Sequence, residues 1–118
     1  MQHLENFLDD DRQDTHKAGE TIFREGDEGR VMYVVIEGSV RLSVTGRSLE
    51  KVGPGGVFGE MALIDAAPRS ATAFAVTDCR LVSITRERFT TLVQQNPQFA
   101  LEIMRVMANR LRNMDRRL

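Results

Sequence analysis

The chain is predicted to be mainly β with α: an antiparallel, jelly-roll-like β-roll followed by C-terminal helices. Three observations predict it. From Gly19 to about Ile84 the pattern is short apolar runs cut by glycine-bearing turns, at roughly the 8–12-residue spacing of β-sandwiches and rolls. One of those runs alternates polar and apolar residues with period 2. After Ile84 the period changes to that of an amphipathic helix.

The elements follow in order. Glu20–Phe23 is a short strand closed by Glu25-Gly26-Asp27-Glu28-Gly29, a turn with two glycines. Val31–Ile36 (VMYVVI) is β-branched and aromatic, the composition of a strand buried on both faces. Glu37-Gly38 breaks it. Ser39–Val44 alternates as a half-buried strand does, Thr45-Gly46 turns the chain, and Leu49–Val52 returns. Gly53-Pro54-Gly55-Gly56 is a loop almost without side chains. Thr72–Val76 and Arg80–Ile84 are two late strands separated by Thr77-Asp78. Thr85 is placed to cap a helix, with Glu87 favourable near its positive end and Phe89, Leu92 and Val93 at helical spacing. Asn96-Pro97 restarts the helix, with Asn as cap and Pro at the first helical position. Met104, Met107, Leu111, Met114 and Leu118 then step by 3, 4, 3, 4, an a/d seam. Two heptads are too few for an isolated coiled coil, so the seam packs on the roll, on a second copy or on a ligand. The organisation expected is one domain over 1–118: a segment 1–18, a roll over 19–84, and helices over 85–118. In residues 1–18, Leu4, Phe7 and Leu8 allow at most a short helix.

Composition narrows the function classes. At 118 residues the chain fits one domain, which buries roughly two-thirds of its unfolded surface without disulfide or metal support. Sixteen Lys+Arg against seventeen Asp+Glu give a net charge of −1, unlike a strongly basic nucleic-acid binder. Charge is uneven, however. Six carboxylates lie within residues 1–20 and five arginines within 101–118. Cys79, the one cysteine, reads as a small buried hydrophobe and fits a reducing compartment. His3 and His16 match no metal-ligand spacing. Val31–Ile36, the longest apolar run, is far too short to span a bilayer, and the acidic start lacks a signal-peptide core. The expected location is cytoplasmic, with no metal, no membrane and no direct nucleic-acid contact. An enzyme hydrolysing a phosphodiester would need a metal cluster or a nucleophile with its base, and two isolated histidines and one cysteine supply neither.

Residues 55–72 carry the chemistry: GGVFGEMALIDAAPRSAT. They read as a Gly-rich loop opening a single helical turn. Gly59 lets backbone approach a ligand, and the N–H groups of residues 60–63 are placed to face an anion. Arg69, ten residues on, makes this a site for one phosphate. Glu60 repels phosphate and makes sense there only if the ligand also offers a hydroxyl donor, such as a ribose 2′-OH. Other readings stand beside these. Glu60 and Arg69 could form an ordinary salt bridge, Ser70 could be a turn residue, and Gly53, Gly55 and Gly56 a plain loop.

The segment FGEMALIDAAPRSATA resembles the phosphate-binding cassette of cyclic nucleotide-binding domains. That family includes catabolite-activator-type regulators, protein kinase A and G regulatory domains, and cyclic-nucleotide-gated channels. The resemblance extends over residues 19–118 and includes the REGDEG turn at Arg24–Gly29 and IEGSVRL at Ile36–Leu42. It implies that Glu60 accepts from the ribose 2′-OH, that the amides of Gly59, Glu60, Met61 and Ala62 bind ribose and phosphate, and that Arg69 pairs with the cyclic phosphate. It implies that Ser70 and Ala71 contact phosphate or base, and that Val40, Leu42, Leu49 and Val52 form the apolar wall. Phe58 and Leu63 would anchor the cassette to the core. Arg110 and residues 113–115 of the last helix would face the base. Two departures concern the ends: relatives carry an N-terminal helical bundle, and their base contacts fall near where this helix stops.

The resemblance implies a non-enzymatic sensor binding cAMP, with cGMP as the alternative ligand, and moving its C-terminal helix to signal to an unknown effector, with a homodimer through that helix as one arrangement. Cyclic-GMP-selective members often have Thr after the cassette arginine and strict cAMP binders Ala; Ser70 lies between, and cAMP is expected. The competing expectation is the ligand-binding part of a catabolite-activator-type transcription regulator lacking its DNA-binding part. A ligand-free interaction module is disfavoured by Glu60 and Arg69.

Overall fold

The computed structural model describes residues 12–65 and 67–117, with side chains through 113. Among the described residues, eight strands form two antiparallel four-stranded sheets. The strands are β1 (Gln13–His16), β2 (Thr21–Phe23), β3 (Val31–Glu37), β4 (Val40–Val44), β5 (Arg47–Val52), β6 (Val57–Phe58), β7 (Thr72–Ala75) and β8 (Cys79–Thr85). Their orders are β1-β8-β3-β6 and β2-β7-β4-β5. The helices within the described residues are α1 (Met61–Ile64), α2 (Arg86–Gln95) and α3 (Gln98–Arg117).

The first sheet is covered on both faces, which explains the near-continuous apolar run of β3. Met32, Val34 and Ile36 of β3 join Val82 and Ile84 of β8, Val57, Leu63, and Phe99 and Ile103 of α3 in one core. Val35 points the other way and meets Val40, Leu42, Val52, Phe58, Ala73, Ala75, Cys79 and Leu81 between the sheets. In β4, Val40 and Leu42 are buried while Arg41 is exposed, as the period-2 pattern predicts. Thr45 and Gly46 both have positive φ, 48° and 80°, the conformation a two-residue hairpin between β4 and β5 demands.

Gly38 is required where the chain crosses from one sheet to the other. Its φ is +93°, and an added Cβ would lie 2.3 Å from the Asp78 carbonyl oxygen. The β7–β8 connection runs beside it, with the Val76 N–H donating to Ser39 O at 2.9 Å.

Several sequence expectations change. β1 lies within residues 1–18, the segment placed before the roll. Its residues, QDTH, carry no strand signal, and it is held by pairing with β8. The short helix considered for Leu4, Phe7 and Leu8 falls outside the described residues, as does His3. β6 is only two residues long, too short to announce itself.

The helix caps form as read. Thr85 Oγ1 accepts the Arg88 N–H at 3.2 Å, and Asn96 Oδ1 accepts the Gln98 N–H at 3.2 Å. The face of α3 is corrected. Phe99 and Ile103, each 2% exposed, bind it to the core, with Val106 and Met107 beside them. Among the described side chains of the expected seam, only Met107 packs inward. Met104 is 60% exposed and Leu111 62%, so plain core is not their role. Each residue turns a helix by about 100°, and Met104 follows Ile103 by one step. The side chains of Met114 and Leu118 lie outside the described residues. No helix among the described residues is long and apolar enough to cross a membrane.

Candidate functional site

A cavity of about 440 Å³ lies between the second sheet, the 59–71 loop and α3. Phe23, Leu42, Leu49, Gly59, Glu60, Met61, Ala62, Pro68, Arg69, Ser70, Ala71, Met107, Ala108, Arg110 and Leu111 line it. A volume in the range of roughly 300–1,000 Å³ suits a small organic ligand. Among the described residues no group of three or more His, Cys, Asp or Glu could hold a metal ion.

Arg69 is held by the turn at residues 24–29. Its N–H donates to Asp27 O at 2.8 Å, and its carbonyl accepts the Gly26 N–H at 2.9 Å. The turn is closed by the Arg24 N–H on Asp27 Oδ2 at 2.9 Å. The side chain then runs inward and is 8% exposed. Nη1 donates to Gly59 O at 3.2 Å and Nη2 to Val31 O at 2.9 Å. Nε is buried and has no hydrogen-bond partner among the described residues. The guanidinium lies over the Phe23 ring, Cζ 4.1 Å from the centroid. Burial lowers its pKa, while Tyr33, Asp27 and Glu60 act to raise it. A guanidinium nonetheless stays charged. The result is a buried cation at a cavity wall whose two hydrogen bonds both go to backbone carbonyls.

Among the described residues Glu60, 4% exposed, is the other buried charge. It does not pair with Arg69, so the ordinary salt bridge between those two is not formed. Its partner is Arg110 of α3, whose Nη1 donates to Glu60 Oε1. Arg110 also donates from Nε to Glu50 Oε1 at 2.8 Å and from Nη2 to the Val57 carbonyl. One side chain thus ties the last helix to β5, to β6 and to the residue before α1.

The helical turn of α1 forms, with Glu60 in helical conformation ahead of it. The Ala62 and Leu63 N–H groups donate to Gly59 O at 3.3 Å and Glu60 O at 3.0 Å, closing the turn internally. Of residues 60–63, the amides of Glu60 and Met61 are left for the anion-facing role. Gly59 has φ +78°, and a Cβ there would sit 2.9 Å from Arg69 Nη1.

The structure therefore brings Gly59, Glu60, Met61, Ala62, Arg69, Ser70, Ala71, Leu42, Leu49 and Arg110 to one cavity. It does not bring Val40, Val52 or Phe58 there. These are 0%, 3% and 0% exposed and fill the core between the sheets. Val40 and Val52 are register partners, so both turn inward together. Phe58 anchors the loop as expected, and Leu63 does the same in the other core. Arg110 faces a carboxylate pair rather than an open wall. Of residues 113–115, Asn113 is exposed and the other two side chains lie outside the described residues. The sequence reading missed Phe23, Pro68, Ala108 and the lining role of Met107 and Leu111. The signal available was proximity: Phe23 directly precedes the REGDEG turn, and Met107 and Leu111 flank Arg110 on its helix.

Residues 13–96 match the family pattern described as "Cyclic nucleotide-binding domain". The chain is 41% identical over 105 residues to the cyclic AMP receptor protein of Thermus thermophilus, covering 85% of this chain and 49% of that protein. It is 44% identical over 97 residues to a cyclic nucleotide-gated potassium channel of Mesorhizobium japonicum, covering 82% of this chain and 26% of the channel. Its fold is similar to the crystal structure of the Thermus thermophilus catabolite activator protein: TM-score 0.79, 38% identity, 95% of this chain and 53% of that one. The chain spans about half the length of the receptor protein it matches, 49%.

Proposed function

Since the chain belongs to the cyclic nucleotide-binding domain family, we propose that it is a non-enzymatic sensor domain that takes a cyclic nucleotide, cAMP in preference to cGMP, into the cavity beneath α3. The observation that carries this reading is Arg69. It is a buried cation with no carboxylate partner among the described residues and with Nε unbonded, on the wall of a cavity of ligand size. Such a group is stabilised by an anion entering the cavity. The single negative charge of a cyclic phosphate supplies it, and the ribose 2′-OH donates to Glu60. The base then lies on Leu42, Leu49, Met107, Ala108 and Leu111, where apolar contact is offered. The preference for cAMP rests on the family resemblance of the PRSAT segment at 68–72 to bacterial cAMP-responsive members; the Ser70 hydroxyl, shared in kind with the Thr of cGMP-selective members, does not itself favour it.

Arg110 supports coupling to α3. The 2′-OH and the Arg110 guanidinium address the same Glu60 carboxylate, so ligand and helix interact energetically. Two arrangements of α3 then differ in affinity for the nucleotide, and binding shifts their populations. Leu101, Met104, Ala108 and Leu111 form an exposed apolar stripe on α3, which suits a second copy of the chain. Light scattering with and without nucleotide tests that dimer.

Competitive calorimetry with cAMP and cGMP tests the reading. Affinity for cGMP equal to or tighter than for cAMP overturns the preference, and no binding of either overturns the function. Arg69→Ala is expected to weaken binding by about 2–5 kcal/mol, the range for removing one partner of a buried charge pair. A second reading, the ligand-binding part of a longer catabolite-activator-type regulator, is favoured by the 49% coverage of the Thermus protein. Mass spectrometry of the native polypeptide decides it: about twice this length supports that reading, and this length rejects it.

A further inference from the structure

We propose that Phe23 is a positioning residue, whose ring holds the Arg69 guanidinium where the phosphate of a bound cyclic nucleotide meets it; this rests on the nucleotide-binding reading above. Phe23 ends β2, and its ring lies 4.1 Å from Arg69 Cζ. Two further rings back it. Tyr33 of β3 is stacked at 6.1 Å and Phe58 of β6 is tilted at 5.9 Å, with Tyr33 and Phe58 themselves 5.1 Å apart. The cluster draws on both sheets, so the platform is set by the packing of the whole roll. The guanidinium has little room to leave it. A Cβ on Gly29 would lie 2.2 Å from Arg69 Nε, so the side chain runs against bare backbone there. The carbonyls of Gly59 and Val31 fix its other edges.

The choice of an aromatic partner has a chemical reason. A carboxylate under Arg69 would stabilise the buried cation but cancel the charge that the phosphate must find. A π face attracts the cation through its quadrupole and uses none of the five N–H donors. The site keeps its charge and its donors while the side chain stays ordered.

The test is a double-mutant cycle read as calorimetric cAMP dissociation constants for wild type, Phe23→Leu, Arg69→Ala and the double variant. Thermal unfolding confirms that each is folded. Phe23→Leu is expected to weaken binding roughly three- to tenfold beside Arg69. In the Arg69→Ala background the same change costs less than about twofold, because its effect passes through Arg69. Phe23→Tyr, which keeps the π face, stays within about twofold of wild type. Equal losses in both backgrounds mean that the ring serves the ligand directly, and overturn the proposal. So does Phe23→Leu binding as well as wild type. If the leucine variant does not fold, Phe23→Met gives the same cycle. Wild type binding neither cAMP nor cGMP overturns the nucleotide reading and this role with it, whereas binding with additive substitutions overturns this role alone.

Discussion

Arg110→Met removes the charge that ties α3 to the roll while keeping an apolar stem of similar length. The guanidinium meets two carboxylates of unlike burial. The Glu60 side chain is 5% exposed and the Glu50 side chain 28%, with Arg110 itself at 17%. Breaking a buried pair by removing one partner costs about 3–5 kcal/mol, and an exposed pair about 0–1. Glu60 belongs near the first case and Glu50 nearer the second, and water reaching Glu60 through the adjoining cavity softens the penalty. The expected loss is therefore about 2–4 kcal/mol. In a domain of this size that lowers Tm by roughly 10–20 °C. Urea unfolding measures it, with Arg112→Met as control. Arg112 is exposed, bonds Asn109 at 3.1 Å, and is expected to change stability by under about 0.5 kcal/mol. If the end of α3 undocks locally instead, the global loss is smaller, but amide exchange accelerates over residues 108–113 while β3 and β8 stay protected. A loss below about 0.5 kcal/mol with unchanged exchange over 108–113 would refute the view that Arg110 docks the helix.

Three further outcomes follow from the same geometry. Gly38→Ala is expected to destabilise by about 2–4 kcal/mol, since φ +93° combines with a Cβ 2.3 Å from Asp78 O. Gly46→Ala, at φ +80° with nothing within 4 Å, costs only about 1 kcal/mol; equal losses in urea unfolding would contradict the role of the close contact. Burial raises the Tyr33 phenol above its ordinary 10.0, with Arg69 opposing and Asp14 adding to the rise. Its contribution to stability is complete below about pH 10 and is lost as pH rises through the folded value. Tyr33→Phe should lack that share of the alkaline decline, and because Tyr33 is the one tyrosine, its absorbance titration reads the shift directly; a midpoint at or below 10 rejects it. Glu60→Ala should reduce the preference for cAMP over 2′-deoxy-cAMP, measured by competition. An undiminished preference would remove Glu60 from the ribose contact.

The strands of the roll were largely legible because burial writes itself into local pattern. A two-faced run at Val31–Ile36 and an alternating one at Val40–Val44 follow from how many faces are covered. β1 was not legible, because QDTH is a strand only through its ladder with β8. The cassette was legible as a motif, since glycine, carboxylate and arginine stand at fixed spacing in one segment. Its depth was not. Val40 and Val52 share the apolar character of Leu42 and Leu49, yet only the latter two line the cavity. Which apolar residue faces a ligand and which faces core depends on sheet packing, not on residue type.

By itself, then, the sequence determined the β-roll, the caps at Thr85 and Asn96, and a segment around Glu60 and Arg69 that resembles a nucleotide-binding cassette. These are local: each depends on residues within a few positions of one another. Only the tertiary structure decided how the two charges are used. Glu60 meets Arg110, 50 residues away, and Arg69 lies on carbonyls and on a ring from three other segments. It also turned Phe99 and Ile103 inward and left Met104 and Leu111 outside. Charges this buried take whichever partner the packed sheets and α3 bring within reach, and distances of that kind are set by the fold as a whole.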